Sequence, residues 1–199
     1  MRLAAVLFLA GILRPMAGAE QSGCREISLV DFRNRVIVAR RETRPLFYGL
    51  FNGPAPGGPI RLRDGRSYDW DLTPGDSGRK PPPDWLTEID RDVVVRPPRS
   101  GAVRVLSLTR THLTGTGSFT YIFGFTCQEG VVRKIFEASG QGIKLGTATD
   151  SVMVVDVAVW VEGDAHASPS RTVSLRYVWA PQSQRFVRSS SNAGCPWMP

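Results

Sequence analysis

The 199-residue chain carries 25 Lys and Arg against 18 Asp and Glu, a formal net charge of +7. Its length suits one domain with a real core, and no repeat of about 20 to 50 residues is visible, which excludes a solenoid. Only Lys80, Lys134 and Lys144 are lysines, and the arginines are dispersed among acids, the pattern of a solvated surface and not of a nucleic-acid-binding stripe.

Residues 1–19 read as a secretory signal peptide. Arg2 follows Met1, an apolar run covers 3–13, and Ala17-Gly18-Ala19 supplies a small-residue cleavage site. The apolar run is broken by Arg14 and Pro15 and is too short for the roughly 20 residues that a bilayer span needs. Cys24 is preceded by Gln21-Ser22-Gly23, without the aliphatic residue of a lipidation signal. Cleavage would leave residues 20–199 as a single soluble domain, secreted or periplasmic, with no membrane span and expected to be a monomer.

In the mature chain, residues 24–41 contain Ile27, Leu29, Val30 and Phe32 before Val36-Ile37-Val38-Ala39, which reads as a strand pair or a short helical turn leading into a strand. Residues 52–59 form a Pro/Gly loop, since neither residue supports a regular ladder. Residues 60–72 alternate on both sides of Asp64-Gly65, which predicts a hairpin. A second irregular connector, 74–84, holds Pro81-Pro82-Pro83. Residues 85–89 read as a helical turn, 92–96 as a strand ended by Pro97-Pro98, and 102–108 as another strand.

The strongest pattern follows. Phe119, Tyr121, Phe123, Phe125 and Cys127 alternate along one strand and define a core face. Gln128-Glu129-Gly130 supplies a turn, and 131–138 returns as the second arm of a hairpin. Residues 151–162 are almost continuously apolar, interrupted by Asp156, and predict a central strand covered on both faces. Their partner is 172–179, where Val173, Leu175, Tyr177 and Trp179 share a buried face. With seven to nine strands expected and almost no helical periodicity, the fold class is mainly β: one antiparallel sheet-rich domain, a sandwich or a strongly bent sheet, with long loops.

The segment Gly115-Thr116-Gly117-Ser118-Phe119, with the later Asp164, Pro169-Ser170 and Tyr177-Val178-Trp179, resembles a loose group of uncharacterised secreted bacterial proteins. Asp31-Phe32-Arg33-Asn34 and Leu62-Arg63-Asp64-Gly65 are similar to the front of such proteins. Where relatives carry an acidic loop of calcium-binding appearance, this chain has Leu113-Thr114-Gly115-Thr116-Gly117, with no carboxylate; where some carry a cysteine pair, it has Ala167-Ser168. The resemblance implies export and a β-rich fold, and no activity.

The connection from Gly163 to Arg171 is longer than a tight turn needs, and loops on a rigid sheet are where function concentrates. Asp164, His166, Ser168 and Ser170, joined by His112, therefore form the candidate binding loop. Asp164 and His166 point the same way on an extended chain, so with His112 they could ligate zinc. Ser118 or Ser170 with His166 and Asp164 could make a triad, but no Gly-x-Ser-x-Gly elbow exists. Asp164 could equally accept backbone N–H bonds as a turn former, with Pro169 fixing the return. Gly115-Thr116-Gly117-Ser118 lacks the ending of a phosphate loop and reads as a strand-entry turn, while Trp160, Tyr177 and Trp179 read as core.

No catalytic residue, metal or cofactor is therefore expected. The leading expectation is a non-catalytic exported domain binding a protein or envelope component, with no nucleic-acid partner. A metal-assisted or hydrolytic enzyme using Asp164, His166 and His112 is the alternative. Three cysteines in an exported chain allow one internal disulfide. A terminal staple between Cys24 and Cys195 is expected, with Cys127 a packed free thiol and Cys24–Cys127 the second choice.

Overall fold

The computed structural model describes residues 24–40, 57–69, 83–115, 117–161, 163–164 and 169–189. The fold is mainly β, and every strand pairing is antiparallel. A short 3-10 helix, Ile27–Leu29, precedes β1 (Val36–Ala39), which pairs with β2 (Gly58–Arg61) in a two-stranded sheet. A five-stranded sheet runs in sequence order through β3 (Arg66–Asp69), β4 (Trp85–Val95), β5 (Val103–His112), β6 (Ser118–Gln128) and β7 (Val131–Gly140). The chain then changes sheet. β8 (Ile143–Ala148), β9 (Val152–Val159), β10 (Arg171–Ala180) and β11 (Arg185–Arg188) form a four-stranded sheet in the order β11-β10-β9-β8.

The five-stranded sheet is the middle layer, because both of its faces are apolar. Leu106, Leu108, Tyr121, Phe123 and Phe125 pack under Cys24, Ile27, Phe32, Ile37, Ile60 and Leu62 of the N-terminal layer. The opposite face, with Val103, Val105, Ile122 and Phe136, packs on Leu145, Met153, Val155, Val157, Leu175 and Tyr177 of the four-stranded sheet. β6 is buried without interruption from Tyr121 to Thr126. A Cβ at Gly124 would stand 3.0 Å from that of Phe136, so the missing side chain permits the close approach of β7.

The continuously apolar stretch expected to be covered on both faces is instead a one-faced strand. In β9 only Met153, Val155 and Val157 are buried; Val152, Val154, Asp156 and Ala158 are half-buried because β9 belongs to an outer layer. The strand covered twice is β6, where Thr126 and Gly124 on the second face made the burial harder to read. The partner assignment for β9 holds, with Val157 opposite Val173 and Val155 opposite Leu175.

The helical turn expected at residues 85–89 is also corrected: the chain is extended from Trp85 to Val95. A bulge between Ile89 and Arg91 shifts the register, so Trp85, Thr87 and Ile89 share a face with Asp92 and Val94. The inserted residue reverses the parity of the alternation, and the two halves do not read as one strand. Asp64-Gly65 does form a tight turn, with φ of 51° and 84° and Arg63 bridged to Arg66. Its arms part at once, however, β2 to β1 and β3 to β4, so the turn is a corner between layers and not the tip of a long hairpin. The turn after β6 is as expected, with Glu129 and Gly130 both at positive φ.

The expected Cys24–Cys195 pairing is replaced by a Cys24–Cys127 disulfide, with Cα atoms 5.7 Å apart. Cys127 is thus not the free packed thiol. It ends the aromatic face of β6 over which the N-terminal layer lies, and the Cys24 N–H donates to the Gly130 carbonyl at 2.7 Å, bringing the two cysteines together. Cys195 and the signal peptide lie outside the described residues.

Arg104 is the polar clasp of the same layer. Its Nε and Nη2 donate to the Asp92 carboxylate at 2.7 and 2.6 Å, while Nη1 donates to the carbonyls of Ile27, Ser28 and Val30. Hydrogen bonding to Asp92 holds its pKa above the usual arginine value against the opposing effect of burial.

Candidate functional site

Asp164 stands in the connection between β9 and β10, after Gly163 at a φ of 94°. Its Oδ2 accepts the Val161 N–H at 2.8 Å and the Ser170 N–H at 2.9 Å. Those bonds, Ser170 first and Val161 second, hold the carboxyl below its ordinary pKa. A carboxylate stabilised in this way is a weak base. The turn-forming role read from the sequence is the one observed, since Asp164 ties the two ends of the loop. Ser170 contributes its backbone to that tie and its residue is exposed. His166 and Ser168 lie outside the described residues.

His112 is on a different sheet, at the end of β5 opposite Trp85. Its Nδ1 accepts the Thr114 N–H at 3.3 Å, and its ring meets that of Trp85 edge-on at 4.6 Å. Gly115 lies so close that an added Cβ would come within 2.8 Å of Nδ1. His112 is therefore a packed member of a turn. Beside it the Arg110 guanidinium lies 4.9 Å above the Trp85 ring, and its Nη2 is 3.5 Å from Asp69 Oδ2. Burial raises the pKa of the Tyr121 hydroxyl, an effect opposed by its bond to Arg110.

Thr87 Oγ1 and Arg110 Nε are buried there without a hydrogen-bond partner, each a cost of about 1 to 3 kcal/mol. Tyr121 is buried there and the Arg110 side chain nearly so, whereas Trp85 and His112 are half-buried and Thr114 and Gly115 are exposed. Trp160, Tyr177 and Trp179 are buried, as expected of core residues. Among the described residues no three His, Cys, Asp or Glu side chains gather to hold a metal ion. Among them, too, no helix is long and apolar enough to cross a membrane.

An accessible recess of about 360 Å³ lies elsewhere, between β7 and the turn joining β10 to β11. Its polar lining includes Arg40, Lys134, Glu137, Gln128, Gln184 and Arg185. Lys134 Nζ donates to the Val38 carbonyl at 2.7 Å and is paired with Glu137, whose side chain is only 10% exposed. Glu137 also accepts the Arg40 N–H at 2.7 Å, so one carboxylate and one ammonium dock the end of β1 onto β7. The opposite wall is tied to β6 by the Gln128 amide, which donates to Gln184 Oε1 at 2.9 Å.

Sequence reading missed this recess because its cations lie far apart in the chain, between residues 40 and 185, and each looks like ordinary surface charge. Of its members, Gln128 was read only as part of the expected β6–β7 turn and Lys134 only as one of three lysines. Comparison with family models, with curated proteins and with solved structures gives no match.

Proposed function

We propose that the protein is an exported, non-catalytic β-domain, secreted or periplasmic, that binds a protein or an envelope component through the polar rim and loops of its sheets. The observation that carries this reading is how the candidate chemical groups are used. Asp164 is engaged by backbone N–H groups and His112 by Thr114 and Trp85, while an open recess with a charged lining remains at the rim. Structural use of the acid and the base, beside an accessible polar concavity, suits recognition better than bond cleavage. The Cys24–Cys127 disulfide supports an oxidising compartment.

The test has two arms. In a broad screen of ester, peptide and glycoside substrates the purified protein should show no turnover above buffer; turnover that falls on His166→Ala or Asp164→Asn would overturn the reading in favour of an enzyme. Immobilised protein should retain a component of envelope extract that excess free protein displaces. Replacing 163–171 by Asn-Gly asks whether that loop contributes: retention that survives removes it from the binding surface.

A further inference from the structure

We infer that the recess between β7 and the β10–β11 turn is an oxyanion site, taking a phosphate or carboxylate group of the bound partner. This rests on the binding-module reading above and deepens it. The lining holds Arg40, Lys134 and Arg185 against the single carboxylate of Glu137. That carboxylate is already matched, by the Lys134 ammonium and by the Arg40 backbone N–H. The Arg40 side chain is 82% exposed and its Nε stands 3.9 Å from Glu137, at the outer limit of an ion pair. Arg185 makes no ion pair among the described residues and is exposed. One guanidinium without an ion pair and one only loosely paired therefore face one concavity.

Guanidinium is the side chain best suited to grip an oxyanion, because its planar fork matches two oxygens at once. Neutral donors complete the set. Gln184 uses its amide oxygen to accept from Gln128, which leaves its NH₂ group to donate, and Ser183 lies beside it in the lining. The walls are fixed before any ligand arrives. Ser183 N–H donates to the Ala180 carbonyl at 3.2 Å, Gln184 holds a φ of 49°, and the Gln128–Gln184 bond ties this turn to the end of β6. A recess of about 360 Å³ is at the small end of ligand sites. It accommodates one anionic group with its immediate neighbours, and not a whole polymer.

The test is a titration of the intact oxidised protein with inorganic phosphate, pyrophosphate and citrate at constant ionic strength, with chloride as the control. It is followed by the ¹⁵N–¹H shifts of the Gln128 and Gln184 side-chain amides. Saturable shifts confined to these amides and the β10–β11 turn are expected. Phosphate and citrate arms distinguish a phosphoryl from a carboxylate ligand. Arg40→Gln and Arg185→Gln should each weaken binding at least fivefold and together abolish it, with unchanged thermal midpoints, while Arg171→Gln at the other end of β10 should bind as the parent does. Shifts that track chloride equally, or a double variant that binds like the parent, would overturn the oxyanion site. If the double variant still retains the envelope component, this site is wrong as its anchor and the binding-module reading stands. If the protein turns over substrate, the broader reading fails instead.

Discussion

Removing the Cys24–Cys127 disulfide should cost more than removing any surface contact, because of where it sits in the chain. The bond joins residues separated by 103 positions, and that span contains β1 to β5 and most of β6. In the chain-entropy account, cross-linking a loop of about 100 residues restricts the unfolded state by about 4.7 kcal/mol at 25 °C, and measured losses for native disulfides run at about 2 to 5. Against a typical total of about 5 to 15 kcal/mol, this is a substantial share. The double variant Cys24→Ala, Cys127→Ala leaves both core clusters otherwise intact, so its circular dichroism should match that of the parent. Urea unfolding should show a midpoint lowered by the equivalent of about 2 to 5 kcal/mol, and a steeper slope, since an uncross-linked unfolded chain exposes more surface. Cys195→Ala should leave the midpoint unmoved. A double variant within about 0.5 kcal/mol of the parent, or a large loss on Cys195→Ala, would refute the reasoning and return the terminal staple to consideration.

Asp164 should make stability depend on acid pH. Its folded pKa is depressed by the Ser170 and Val161 N–H groups, so its contribution is complete above the unfolded value of about 4 and is lost as pH falls through the lower folded value. Thermal melts below about pH 4 should therefore show a smaller acid-induced decline in Asp164→Ala than in the parent, and parallel curves would remove that role. Gly142→Ala should destabilise by about 1 to 3 kcal/mol, because φ there is +67° and the new Cβ would lie 2.7 Å from the Trp160 ring; a chemical denaturation midpoint equal to the parent's would contradict the close contact. Arg104→Met should cost about 1 to 3 kcal/mol, since it strips donors from Ile27, Ser28 and Val30 and leaves Asp92 unpaired. Faster amide exchange at β1 than at β9 in this variant is the expected signature; uniform exchange would mean the clasp is not specific to the N-terminal layer.

The β6–β7 and β9–β10 pairs were legible because β6 and β10 alternate clearly and the turns carry suitable residues: Glu129-Gly130 in one, and the Asp164 tie in the other. β4 was misread where Asp90 reverses its parity. β8 escaped notice because Ile143 and Leu145 are its only large apolar residues before Gly146 and the register shift. The layer order escaped for another reason: an apolar β9 and an aromatic β6 are equally hydrophobic in sequence, and only pairing partners decide which lies in the middle. Cys24 and Cys127 are distant in sequence and their neighbours differ in polarity, while Phe32 packs against Phe125 at a tilt of 34°, with ring centres 4.7 Å apart, a contact no local pattern announces. Of the site residues, Asp164 could be read because its partners are local. Arg40, Glu137 and Arg185 could not, since each comes from a different layer or edge.

The disulfide also closes the chain from β1 to most of β6 into a covalent ring. A backbone cut at any point between Cys24 and Cys127 opens that ring without releasing a piece, since the amino-terminal fragment remains attached through Cys24 and the remainder through Cys127. One cut in this region by a protease leaves a single particle with both halves still docked across the aromatic face of β6. Two events, a cut and a reduction, must coincide before the cover can depart. Cleavage damage in this half of the chain would therefore pass unseen on a non-reducing gel and appear as two bands only after thiol is added.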